Sequence, residues 1–166
     1  MKQVNFSALL LMAIFAVSCA TQSTIPEPAF NSKDPSLTRL MLFIGKSRQG
    51  SLFKKFQKKY DLFQKKYGKE GLFYPQDHAY TYSYYQNTIN KLVISVQQTV
   101  QSSRLKTYTG PLPFHLYRRD TYESVVKKLG KPSSTKLNNT IIDYADKNLQ
   151  IKFKNGTIAS ITVTSG

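Results

Sequence analysis

Hydrophobic and polar residues alternate most cleanly at Leu149-Gln150-Ile151-Lys152-Phe153-Lys154, the period-2 pattern of a strand with one face buried. Asn155-Gly156 follows, the strongest two-residue hairpin signal. The β-branched run Thr157–Thr164 predicts the return strand, and Ile141, Ile142 and Tyr144 predict another across Thr140–Ala145. A helix precedes these strands. Tyr122, Val125, Val126 and Leu129 recur at i, i+3, i+4 and i+7, a single apolar stripe. Its start is marked either by Asp120 and Glu123 as a capping box or by Thr121 as the cap. Its end is marked by Gly130 and Pro132.

The first half carries a repeated word. FQKKY stands at Phe56–Tyr60 and again at Phe63–Tyr67, seven residues on. Leu52, Phe53, Phe56, Tyr60, Phe63 and Tyr67 advance by 1, 3, 4, 3 and 4, so the spacing predicts one helix from Ser51 to about Tyr67, ended by Gly68. Lys54, Lys55, Lys58, Lys59, Lys65 and Lys66 then form a basic surface on its flanks and far side. A strand is predicted over His78–Tyr85, a turn at Asn87–Asn90, and a longer strand over Lys91–Gln101 with Leu92, Ile94 and Val96 on one face. The halves meet near Thr109-Gly110-Pro111-Leu112-Pro113. The expected fold class is therefore α+β, two helix-plus-antiparallel-meander repeats over 38–109 and 110–166, with helices on one face of the sheet.

In the strand predicted at His78–Tyr85, His78, Tyr80, Tyr82 and Tyr84 form a ladder on one face, with Ala79, Thr81 and Ser83 on the other. Tyrosine combines area, rigidity and a polar tip, which suits an interface. An exposed ladder for a partner is the favoured reading, because four polar-tipped groups in a row are hard to satisfy in a core. The alternative packs the same rings beneath the lysine-rich helix.

The N-terminus changes the setting. Lys2 precedes an apolar run from Phe6 to Val17, the length of a signal-peptide core. The run ends in Ala16-Val17-Ser18-Cys19, small residues before the single cysteine of the chain. This matches a bacterial lipobox, with residues 1–18 as the signal peptide and Cys19 as the lipidated residue. One cysteine permits no internal disulfide. Two or three acyl chains, at about 0.8 kcal/mol per buried CH₂, make a lasting membrane anchor. Residues 19–37, rich in Thr, Gln, Ser and Pro, read as a tether. Ala20 is not the Asp that favours inner-membrane retention, so the expected location is the outer membrane, periplasmic side, with surface display as the alternative.

Charge narrows the partners. The chain has 24 Lys and Arg against 9 Asp and Glu, a net +15, and loss of Lys2 with the signal peptide leaves +14. Such a balance attracts an acidic protein, anionic lipid or lipopolysaccharide. Outside the cytoplasm, nucleic acid is not an expected partner.

Chemistry is sparse. His78 has Asp77 beside it, but strand neighbours point to opposite faces, and His115 follows Pro113-Phe114 in a linker. The nine acidic residues form no dyad spaced on one element, and no glycine-rich phosphate loop or Gly-x-Ser-x-Gly elbow occurs. The expectation is a binding protein and no enzyme, with no metal and no cofactor.

The stretch from Asp120 to Thr164 resembles a known pattern: a capped helix ending in Leu129-Gly130-Lys131-Pro132, a Tyr-containing strand, an Ile-x-Phe strand, Asn155-Gly156, and a closing Ile-x-x-Ile-x-Val. It is similar to the outer-membrane-assembly lipoprotein family BamE (SmpA/OmlA) and to each half of the β-lactamase inhibitory proteins, whose tandem repeats the pairing of halves resembles more. Gly110-Pro111-Leu112-Pro113-Phe114 and Phe43-Ile44-Gly45-Lys46 also resemble two-repeat bacterial proteins found near secreted toxins. The resemblance implies an inhibitor or immunity protein, with an envelope-assembly scaffold as the alternative.

Overall fold

The computed structural model describes residues 35–97 and 106–166. The expected signal peptide, Cys19 and most of the expected tether lie outside them. In chain order the elements are α1 (Leu37–Met41), α2 (Ser51–Lys59), β1 (Phe63–Tyr67), β2 (Glu70–Tyr74), β3 (Tyr80–Tyr85), β4 (Thr88–Ser95), α3 (Tyr122–Leu129), β5 (Ser134–Lys136), β6 (Ile141–Tyr144), β7 (Leu149–Lys154) and β8 (Thr157–Thr164).

The expected pair of helix-plus-meander repeats is corrected here. The strands form one continuous antiparallel sheet in the order β1-β2-β3-β4-β8-β7-β6-β5. The molecule is mostly sheet, and its helices are short, nine residues in α2 and eight in α3. β4 pairs with β8 from Lys91↔Thr164 to Ser95↔Ser160, fusing the two stretches at the middle of the sheet. One hydrophobic cluster runs beneath both, from Leu40 and Phe53 to Ile151 and Ile161.

The largest local difference lies in the repeated word. The first FQKKY is helical through Lys59, but the second is the edge strand β1. The helix ends because Asp61 takes a left-handed backbone, φ 48°, and Leu62 turns inward to 6% exposure. The Leu62 N–H still reaches the Gln57 carbonyl at 3.0 Å, closing the last turn. Phe63 then pairs with Tyr74, and Tyr67 with Glu70, across the Gly68-Lys69 turn. Gly68 has φ 61°, the conformation that the first position of a type II′ hairpin turn demands. Leu52, expected on the buried stripe of α2, is 57% exposed.

The other boundaries follow local chemistry. Thr121 is the cap of α3, its Oγ1 accepting from the Ser124 N–H at 3.3 Å, and Gly130 ends the helix at φ 85°. Asn155 and Gly156 both have positive φ, as the β7–β8 hairpin requires. β4 starts at Thr88, so the β3–β4 turn is Gln86-Asn87, earlier than the expected Asn87–Asn90.

The helices cover one face of the sheet. At the β2–β3 end the cover is aromatic: Phe53 of α2 lies 5.0 Å from Phe73 and 5.7 Å from Tyr82 between ring centroids, both edge-on, and Phe43 lies 5.1 Å from Phe53. At the other end Val125 of α3 is fully buried, and Tyr122 meets Phe153 of β7 edge-on at 6.2 Å.

Candidate binding surface

The tyrosine ladder belongs to the covered face, which corrects the expectation that it is exposed. Tyr80, Tyr82 and Tyr84 are 1%, 0% and 3% exposed. The polar tips of Tyr82 and Tyr84 are met inside the fold. Tyr82 donates to the Leu40 carbonyl at 2.7 Å, and Gln64 Nε2 donates to Tyr84 Oη at 3.1 Å. Burial pushes the Tyr82 phenol well above its ordinary pKa, with neighbouring Tyr80 and Tyr108 adding to the shift. None of the three rings is available to a partner. His78 is not on the strand at all. Its N–H bonds the Pro75 carbonyl at 2.9 Å in a turn, φ 55°, and its ring stacks on Tyr74 at 4.3 Å.

Tyr84 reaches Gln64 by lying across β2, and Gly71 makes this possible. A Cβ at Gly71 would stand 2.2 Å from Tyr84 Oη and 2.4 Å from the Lys65 carbonyl oxygen. The guanidinium of Arg48 sits 4.6 Å from the centre of the same ring. The edge strand is thus tied down from the covered side.

Strand alternation turns the small and polar residues to the opposite face, which no described helix covers. Across its middle, Val93 of β4 stands against Thr162 of β8, and Thr162 against Gln150 of β7. This part forms an open trough of about 530 Å³ with Lys91 and Lys152 among its walls. Asp143 of β6 is held in place by Gln150 and Ser134, each at 2.8 Å, and by Lys136 at 3.3 Å. The Gln150 hydrogen bond, joined by those from Ser134 and Lys136, keeps the Asp143 carboxyl below its usual pKa against the opposing desolvation.

Towards β1 the same face becomes aromatic. Phe63 stacks with Tyr74 at 6.2 Å, and Tyr74 with His78, forming a row of three rings. Phe63, Tyr67 and Tyr85 are 48%, 53% and 47% exposed. The Lys65 ammonium lies 5.3 Å from the Tyr67 ring, and its hydrogen bond to Tyr67 raises its pKa. Pattern reading missed this surface because it placed Phe63 and Tyr67 on a helix stripe. The available signal was Gly68-Lys69 flanked by two short aromatic runs.

The six lysines of the expected basic surface are all exposed, but they divide. Lys54, Lys55, Lys58 and Lys59 ride on α2 above the covered face. Lys65 points to the open face, and Lys66, in register with Gln64, to the helix side. The β1 edge runs between the two groups. Among the described residues, no three His, Cys, Asp or Glu side chains gather as metal ligands.

No family model, curated protein or solved structure matches the chain.

Proposed function

We propose that the chain is a lipid-anchored protein-binding module of the bacterial envelope. It acts without catalysis, as an inhibitor or immunity protein that engages an acidic protein partner through the open sheet face. One observation carries the reading: a whole sheet face free of described helices joins a polar trough to an aromatic patch, with Phe63, Tyr67 and Tyr85 exposed and ammonium groups beside them. Aromatic rings supply rigid contact area at low entropic cost, and surrounding charge selects the sign of the partner. The lipobox at Cys19 supports the envelope location, and the net charge of +15 supports the acidic partner.

Site-specific photocrosslinking tests it. A benzoylphenylalanine at Thr162, in the trough, is compared with one at Lys131, beyond α3. The expected product is an adduct with an acidic protein at position 162 only. Adducts equal at both positions, or adducts with lipid alone, would remove the reading.

A further inference from the structure

β1 closes one side of the sheet, and all five of its residues are exposed. No described strand pairs with its outer edge, which presents backbone N–H and C=O groups ready for another strand. Side chains on that strand alternate in a readable way. Phe63, Lys65 and Tyr67 face the open side, while Gln64 and Lys66 face the helix side. Between residues 51 and 70 stand seven lysines and only two carboxylates, Asp61 and Glu70. A second copy of β1 laid against this edge would set lysine against lysine, which like-charge repulsion disfavours.

We propose that β1 is a docking edge, taking an extended acidic protein segment as an added antiparallel strand. The registry dictates its pattern. Opposite Tyr67, Lys66, Lys65, Gln64 and Phe63, the incoming chain reads apolar, acidic, acidic, polar, apolar. Directly opposed residues have Cβ atoms about 5 Å apart, within reach of both lysine ammonium groups. Backbone hydrogen bonds supply affinity, and the two acids with the two flanking apolar side chains supply selectivity. The inference rests on the binding-module reading and says where the partner's chain lies.

The test uses the full chain in detergent and a fluorescent peptide with the core Val-Glu-Glu-Thr-Val. Saturable binding is expected, with slowed amide exchange within residues 63–67. Two further peptides carry N-methyl groups at the odd or the even backbone nitrogens. Only one set faces β1, so one peptide should bind and the other should not. Lys65→Glu combined with Lys66→Glu, both at exposed positions, should weaken binding by about tenfold or more. Equal binding of both methylated peptides with unprotected β1 amides would overturn edge pairing while leaving the open-face module standing. Failure of the parent peptide to bind would overturn edge pairing as well. So would protection of these amides by phosphatidylglycerol vesicles and not by the peptide, which would assign the lysines to the membrane. The crosslink from Thr162 judges the module separately.

Discussion

The phenol of Tyr82 donates to the carbonyl oxygen of Leu40 at 2.7 Å, joining β3 to α1 across 42 positions of sequence. Both residues are fully buried, so the carbonyl finds no water if the donor is lost. Tyr82→Phe should cost about 1–2 kcal/mol in urea unfolding, the penalty of an orphaned buried acceptor. The folded-state pKa of Tyr82 is raised, so its contribution is complete below about pH 10 and is lost as pH rises above that value. The variant should therefore lose less stability between pH 10 and 11 than the parent. An identical alkaline slope would show that Tyr82 is not the group that titrates.

Gly71→Ala brings a methyl group against Tyr84 Oη and the Lys65 carbonyl. Overpacking of this kind costs about 1–3 kcal/mol. The damage should be local, because β1 and the ring of Tyr84 must separate. Amide exchange in residues 63–67 should quicken more than in β7. Uniform quickening across the sheet would contradict the proposed tie.

Lys128 lies 2.6 Å from Asp120, which is only 7% exposed and also accepts from the Tyr117 N–H at 2.7 Å and the Ser124 hydroxyl at 2.7 Å. Lys128→Met leaves that carboxylate half-satisfied. The lysine keeps 28% of its own side-chain exposure, so the expected cost is about 2 kcal/mol, below the range for a fully buried pair. Asp120→Asn in the Lys128→Met background should recover part of it. No recovery would mean that the charge is not what the lysine answers.

Asp143 predicts an acid limb. Its folded pKa is depressed, so its contribution is present above the ordinary aspartate value of about 4 and is lost as pH falls through the lower folded value. The side chain is 24% exposed, which limits the effect to roughly 0.5 kcal/mol. Thermal melts of Asp143→Asn should fall less steeply than the parent between pH 4 and pH 2. Parallel curves would remove Asp143 from the account.

Cys19→Ser should abolish incorporation of labelled palmitate and leave a longer, uncut chain, seen by mass spectrometry. Unchanged labelling would remove the proposed anchor, and with it the support for the proposed envelope location.

Much of the second half was legible because its signals are local and agree. The alternation at Leu149–Lys154, the Asn155-Gly156 turn and the Gly130 stop each specify one conformation, and each appears where the pattern put it; of the two caps offered for α3, the structure uses Thr121. FQKKY was not legible, because the pentapeptide satisfies two periods at once. Its aromatics stand four apart, a helical spacing, yet the first, third and fifth positions also share one side of a strand. Tertiary context decides between them: the first copy buries Phe56 against Phe43, and the second has β2 beside it. The tyrosine ladder failed for a related reason. Strand periodicity put Tyr80, Tyr82 and Tyr84 on a common face, but which face lies under a helix is set by Leu40 and Phe53, far off in sequence. The open face, built from Val93, Thr162 and Gln150, carries no local mark of use.

β8, the latest strand in chain order, sits at the centre of the sheet, between β4 and β7. A ribosome must therefore deliver nearly all of the described polypeptide before the hub exists, and any chain stopped short of Thr157 exposes two raw, sticky flanks at once. Contacts so distant in sequence slow assembly towards milliseconds or seconds. That lag is a window in which such a chain stays threadable, and in which chaperones would find it.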